Sequence, residues 1–466
     1  MAVWSVVNNS LVNHHSGRID AEYYKTESLQ AYDYVKKGNY KLLGQLAKEG
    51  YRVVYENTKI LKPEKVDEQR DVRFLQATNV SDDGLWIEPK EIGFVSGKDW
   101  VKYPKGRIKH GELLIEVKGQ AEKVTIVQDY MPMRTLVTGT LYKLTVDEKM
   151  VSPEYIFAYF SCKYGKILRD RTKVNTLISY VSKPELYNIP IPIFEESIDE
   201  ITNVIKESYR LSAFSHSFYH QAETLLAQEL QLDKLKLPNK KWYTADYCEV
   251  VNEKRMNAEF FSPDVYSILG QDFLKEGATI NDVFEIIRGY TPKCYYQSGV
   301  PMVKTKNVRT PNIDKKRISD YADSQESLTL TKKNDLILAA MGVGSLGRMS
   351  YVTEEETNCA IDGTLRILRK KDLSMNDMEI PTMLFLSTEV GQKLIYRGIS
   401  GTTGIISLPD DYLERIPIPV FEKSVRRKVT ELVLNSIKAK NQSEQLLAQA
   451  KHRVEELIEQ EANKYK

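Results

Sequence analysis

Ile189-Pro-Ile-Pro-Ile-Phe-Glu-Glu-Ser197 returns as Ile416-Pro-Ile-Pro-Val-Phe-Glu-Lys-Ser424, and this repetition governs how the rest of the 466-residue chain is read. Proline fixes φ, lacks an N–H and drives its predecessor out of the α region, so both copies are extended stops. After each, residues 195–232 and 422–465 contain neither Pro nor Gly and place apolar residues at helical spacing. These are Ile198, Ile201 and Ile205 in the first stretch, and Val425, Val429, Leu432, Leu446, Ala450 and Leu457 in the second. Two helices of roughly 50 to 60 Å follow. Helices that long need a partner for the apolar stripe, and each packs most simply against its own copy.

Outward from these anchors the order of matches is kept. Arg18-Ile-Asp-Ala-Glu-Tyr-Tyr24 matches Arg255-Met-Asn-Ala-Glu-Phe-Phe261, residues 72–80 match 300–308, Gly139-Thr-Leu141 matches Gly363-Thr-Leu365, and Leu225-Leu-Ala-Gln228 matches Leu446-Leu-Ala-Gln449. The offset drifts only between about 221 and 237 residues, far too long for a solenoid repeat, so a domain pair is duplicated. Within each half, short apolar runs (73–77, 111–117 and 123–127, and 336–340 in the second) alternate with turns and at least one helical stretch, 153–169 matched by 381–397, which is an α+β pattern. The domains read as 20–188 and 238–415, followed by the proline-and-helix elements 189–237 and 416–466, with the linker at 235–241. Residues 1–19 are the positional twin of 239–256, which places the N-terminal segment beside the end of the C-terminal helix in a cyclic, pseudo-twofold arrangement.

Hydrophobic residues make up 42% and charged residues 28%, which fits packed cores and excludes intrinsic disorder. No run approaches the ~20 apolar residues that span a bilayer and no signal-peptide core opens the chain, so a cytoplasmic location is expected. The 4 cysteines stand far apart, encoding neither a disulfide framework nor a zinc cluster. A net charge of +2 means that any nucleic-acid surface is a local patch.

Two α+β domains, each closed by Ile-Pro-Ile-Pro and a long helix bearing Leu-Leu-Ala-Gln, resemble the specificity (S) subunit of a Type I restriction-modification system, over nearly the whole chain. The resemblance is carried locally by residues 341–352 with Ala360-Ile-Asp-Gly363, and by Gly401-Thr-Thr-Gly-Ile-Ile-Ser407. The first half differs there, with Val117-Lys-Gly-Gln-Ala-Glu-Lys123 and Lys173-Val-Asn-Thr-Leu-Ile-Ser179. The family resemblance implies two target recognition domains that each read half of a split DNA site in the major groove. It also implies an antiparallel coiled coil that sets their spacing, two DNA adenine methyltransferase (M) subunits as partners beside double-stranded DNA, and restriction (R) subunits reached through them. On that reading the chain is a non-catalytic subunit without a cofactor. Two readings from other classes stand beside it: a self-contained Mg-dependent nuclease using Glu116 and Lys118, and a DNA-binding regulator without an enzyme partner.

Arg and Lys suit guanine edges and phosphates, and Asn and Gln suit adenine. The candidate DNA-binding residues are therefore Lys304, Lys306, Asn307, Arg309, Arg348, Thr402 and Thr403, with Arg73, Gln76, Lys118, Gln120, Lys173 and Asn175 in the first half; about one third of them are expected to touch DNA. Gly342-Val-Gly-Ser-Leu-Gly347 fits a dinucleotide fingerprint, but a β-like run follows where a helix is required, which favours a tight hairpin with glycines at φ > 0. Ile115-Glu-Val-Lys118, with Glu112 upstream, has the ending of metal-dependent nucleases, although the second half carries Ala339 and Met341 there. His216, His220 and Glu223 share a helical face that suits a metal, yet their counterparts Ile437, Asn441 and Glu444 do not. No metal and no catalytic residue is assigned.

Overall fold

A computed structural model describes residues 18, 20–174, 178–238, 240, 242–371, 376–401 and 406–464. The chain is a mixed α+β protein that divides into two units, Met1–Phe214 with Ala439–Lys466, and Ser215–Lys438.

In the first unit a four-stranded antiparallel sheet runs in the order Ala47–Tyr51, Leu141–Val146, Leu113–Glu116, Val124–Ile126. A three-stranded sheet is centred on Val72–Leu75, antiparallel to Phe94–Val95 and parallel to Thr135–Val137. In the second unit the four-stranded order is Phe284–Arg288, Leu365–Lys370, Leu336–Ala339, Met349–Tyr351. Its three-stranded sheet is centred on Val300–Val303, antiparallel to Tyr321–Ala322 and parallel to Ala360–Ile361. Strand order and sense are the same in both, so the duplication extends to topology.

Successive side chains of a strand face opposite ways, and both faces of Leu113–Glu116 are covered. Leu113 and Ile115 enter the core shared with the helices, while Leu114 enters a second core beside Leu75 and Val137. Leu336 and Leu338 are likewise separated from Ile337 and Ala339. This two-sided burial explains the continuous apolar runs Leu-Leu-Ile and Leu-Ile-Leu-Ala.

The helical stretch expected at 153–169 is two helices, Pro153–Ser161 and Lys163–Thr172, and its twin is Glu379–Ser387 followed by Glu389–Arg397. The second helix of each pair crosses so close to the first that a Cβ on Gly165 would lie 1.9 Å from the Tyr159 carbonyl oxygen, and one on Gly391 2.3 Å from that of Phe385. Glycine is required at both crossings.

The proline elements pair as short ladders, Tyr40–Leu42 with Pro190–Pro192 and Ala278–Thr279 with Pro417–Ile418. In two-stranded ladders the missing proline N–H groups leave no central strand unpaired. Two long helices follow, Glu195–Glu229 of 35 residues and Lys423–Asn463 of 41. In the first unit Ile201, Ile205 and Tyr209 share a core with Leu447, Ala450, Val454 and Ile458. In the second, Ala222, Leu226 and Leu230 share one with Val429, Leu432, Val433 and Ile437. Ser208 Oγ donates to the Ser443 carbonyl at 2.8 Å, and Ser215 Oγ lies 3.1 Å from Ser436 Oγ. Advancing along one helix thus retreats along the other, so the pairing is antiparallel. Ser215 and Ser436 each precede Leu-Leu-Ala-Gln by the same interval, so equivalent positions meet.

The expected placement of residues 1–19 beside the C-terminal helix lies, but for Arg18, outside the described residues. Their twin segment packs on the core of the second unit through Tyr243 and Val250. Among the described residues no helix is long and apolar enough to cross a membrane.

Candidate nucleic-acid interface

Each unit brings together two loops that are distant in sequence. In the first, residues 117–123 turn from Leu113–Glu116 into Val124–Ile126, with Gly119 at φ +116° and Ala121 at φ +54°. The Glu116 carboxylate holds this turn, accepting from the backbone N–H groups of Glu122 (3.0 Å) and Lys123 (3.2 Å). Lys118 and Gln120 are exposed on it. Lys118–Gly119 pairs antiparallel with Ser179–Tyr180, and Val174 and Tyr180 close the second loop with reciprocal backbone bonds of 2.9 and 3.0 Å. Lys173 stands at that loop's root, its Nζ 2.6 Å from Asp170 and 3.9 Å from Glu122. Asn175 lies outside the described residues.

The second unit repeats the arrangement. Residues 341–348 turn from Leu336–Ala339 into Met349–Tyr351, with Gly342, Gly344 and Gly347 at φ +103°, +74° and +85°. A strand follows the glycines, so the motif is a hairpin and the helix that a dinucleotide fingerprint needs is absent. The Gly342 N–H donates to Ile406 at 3.1 Å, and Ser400 and Ser407 close the second loop with bonds of 2.8 and 2.9 Å. Arg348 is exposed on the hairpin and makes no ion pair among the described residues. Thr402 and Thr403 lie outside them.

The remaining candidates belong to the three-stranded sheets. Lys304 Nζ lies 3.4 Å from the centroid of the Tyr295 ring and 3.4 Å from Asp320 Oδ2, and Lys306 Nζ lies 2.6 Å from Ser319 Oγ and 3.3 Å from Asp320. Burial raises the Asp320 pKa, but hydrogen bonds from Lys306 and Ser319 and the charges of both lysines outweigh it and hold the carboxyl below its ordinary range. Arg309 donates its backbone N–H to Ser350 Oγ at 2.8 Å, which sets the 304–310 turn against the strand that follows Arg348. Asn307 departs from the expectation of a base contact. It is 0% exposed, its Oδ1 accepts from the Lys304 N–H at 2.9 Å and its Nδ2 donates to the Asp314 carbonyl at 3.4 Å. It caps the turn that presents its neighbours, as Asn79 does in the first unit by accepting from the Gln76 N–H at 2.9 Å. Gln76 itself is half-buried. Arg73, also half-buried, stacks 5.1 Å from the Phe94 ring centroid and lies 3.5 Å from Glu68.

Two residues escaped the sequence reading. Arg52 donates to the Gly139 carbonyl (2.7 Å) and the Tyr180 hydroxyl (3.2 Å), joining the second loop of the first unit to the turn before Leu141–Val146. Tyr295 donates to Asp362 at 3.0 Å, and burial, followed by that hydrogen bond, pushes its pKa up to about 12. Arg52 stands in an irregular segment with no pattern to mark it, whereas Tyr295 belongs to an interleaved run of tyrosines and a lysine, residues 290–296.

The carboxylates of the nuclease-like motif, Glu112 and Glu116, have partners within the protein. Glu116 is committed to its turn. Glu112 is buried 3.2 Å from Lys143 Nζ and accepts the Lys109 N–H at 2.8 Å, and its counterpart Asp335 is held by Arg369 at 2.7 and 2.9 Å. His220 Nδ1 lies 3.5 Å from Glu223. Among the described residues no three His, Cys, Asp or Glu side chains gather to hold a metal.

The fold and these loops define a class: a duplicated α+β unit that presents a paired-loop tip, built with two long antiparallel helices. No family model and no curated protein matches the chain. Among solved structures it is similar to the S subunit of the Type-I restriction-modification system of M. genitalium, with 11% identity, a TM-score of 0.45, and coverage of 91% of this chain and 95% of that one. It is also similar to the HsdS subunit of Thermoanaerobacter tengcongensis, with 13% identity, a TM-score of 0.28, and coverage of 91% and 96%. A chain from a type I R-M complex gives 13% identity, a TM-score of 0.29, and coverage of 91% and 97%. Likenesses this distant do not carry the functional reading, which rests on the residues of this chain.

Proposed function

We propose that the chain is a non-catalytic specificity subunit that reads a bipartite double-stranded DNA site, one half per unit, and delivers a separate DNA adenine methyltransferase to it. The observation that carries this is the pair of loop tips: the same scaffold appears twice, with Lys118 and Gln120 on one hairpin and Arg348 on the other. Identical scaffolds with different tips are what two different half-sites require, because specificity resides in side chains at base edges while the scaffold sets register. Two linked weak readers also gain effective concentration, and a rigid helical spacer restricts that gain to sites of matching separation. Methyl transfer belongs to the partner, since the sequence has no Asn-Pro-Pro-Tyr-like motif.

Co-expression with a DNA adenine methyltransferase subunit from the same source tests recruitment. A stable complex at micromolar concentration by size exclusion is expected, and separate elution would contradict it.

A further inference from the structure

The motif Arg-φ-Asp/Asn-Ala-Glu-aromatic-aromatic recurs in both halves, and its use is the same in each. In the first unit Arg18 Nη1 donates to the Thr172 carbonyl at 3.1 Å and Nη2 to the Lys173 carbonyl at 2.8 Å. In the second, Arg255 Nη2 donates to the Gly398 carbonyl and Nη1 to the Ile399 carbonyl, both at 3.0 Å. The acceptors are the free carbonyls where Lys163–Thr172 and Glu389–Arg397 end. A cation there complements the helix dipole, and the planar fork of arginine meets two carbonyls at once where lysine offers a single point charge.

A second arginine, from the helix being capped, returns the contact. Arg171 Nε donates to the Tyr23 carbonyl at 3.0 Å and Arg397 Nε to the Phe260 carbonyl at 2.9 Å. The first aromatic ring of each motif therefore contacts two guanidinium groups. Tyr23 has Arg18 at 4.5 Å and Arg171 at 3.9 Å, and Phe260 has Arg255 at 5.2 Å and Arg397 at 4.0 Å. Such a stack fixes both planes. In each unit it stands at the root of the second loop, a few residues before the Val174–Tyr180 and Ser400–Ser407 closures.

We infer that Arg18 and Arg255 are positioning residues for half-site specificity, each clamping the root of the loop its unit presents to DNA. The inference rests on the proposed function for its consequence and on the two clamps alone for its geometry. Without the clamp the near arm is held by its closing pair alone, Val174–Tyr180 or Ser400–Ser407, so the loop root loses its anchor to the rest of the unit and with it the register that discriminates between bases.

The experiment uses the full chain with its methyltransferase partner, and Arg18→Lys and Arg255→Lys as separate variants. Hydrogen exchange on the chain reads the clamp directly: Arg255→Lys should speed exchange at 398–408 and leave 173–181 unchanged, and Arg18→Lys should do the reverse. Methylome sequencing reads the consequence: each variant should lose about tenfold of its discrimination in one half-site only, the size of one base contact. Arg397→Lys, which removes the return contact, should reproduce the Arg255→Lys pattern and guards against a misfolded single variant. Unchanged exchange in both loops would overturn the clamp. Faster exchange with both half-sites intact, or with both weakened alike, would overturn the specificity role. If the wild-type chain directs no bipartite methylation, the proposed function falls, and the exchange data still decide the clamp.

Discussion

The Asn307 side chain makes its hydrogen bonds inside the protein, to the Lys304 amide and the Asp314 carbonyl, so Asn307→Ala is expected to cost about 1 to 3 kcal/mol in denaturant titrations by orphaning both groups. Lys306, one residue earlier and exposed, is expected to act on DNA: Lys306→Ala should relax one half-site by about 1 to 3 kcal/mol if it meets a base. Asp320 competes for that lysine and for Lys304, so Asp320→Asn should tighten binding to all sequences in a salt-dependent way, and unchanged affinity would show that these lysines do not face DNA. The same carboxyl has a lowered folded pKa, so its stabilising contribution is present above the ordinary carboxylate range and is lost as pH falls through the folded value, below about pH 4. Denaturation of wild type and Asp320→Asn across pH 3 to 7 should converge at the acid end. Asn307 and Lys306 are indistinguishable at the level of sequence, because both sit in one polar run and only the turn decides which side chain points inward.

At the scale of elements, what recurs was legible and what closes in space was not. The proline elements, the long helices and the strand runs 72–75, 113–116, 124–126 and 336–339 follow from φ restriction and periodicity, which are local. The break at Cys162 and at Thr388 escaped because it comes from Gly165 and Gly391 meeting carbonyls of another helix, and a lone glycine in a helical run carries no such label. The pairing of 117–123 with 173–180 escaped because it joins segments far apart in the chain, which no local pattern marks. The buried pair Glu112–Lys143 gives an element-scale prediction: Lys143→Met leaves the carboxylate uncompensated between two cores and should cost about 3 to 5 kcal/mol by thermal or chemical denaturation. The paired helices give another. Removing one heptad from both, roughly 10 Å of rise, should shorten the spacer of the recognised site while both half-sites keep their bases, as methylome sequencing would show.

For the molecule as a whole, duplication is the central fact, since it makes one half a control for the other: topology, arginine clamp and loop closure agree between them, while the loop tips differ. The account therefore predicts independent half-sites, and the most direct measurement is adenine methylation across the source genome with this gene present, deleted, and restored as Arg348→Ala or with residues 117–123 exchanged. Deletion should abolish methylation at one interrupted motif. Exchange of 117–123 should alter the bases of one half of it and leave the other half and the spacer untouched, while Arg348→Ala should weaken all sites alike if that residue meets phosphate. Loss of a continuous motif, or a change in both halves or in the spacer on exchanging that one loop, would contradict the account.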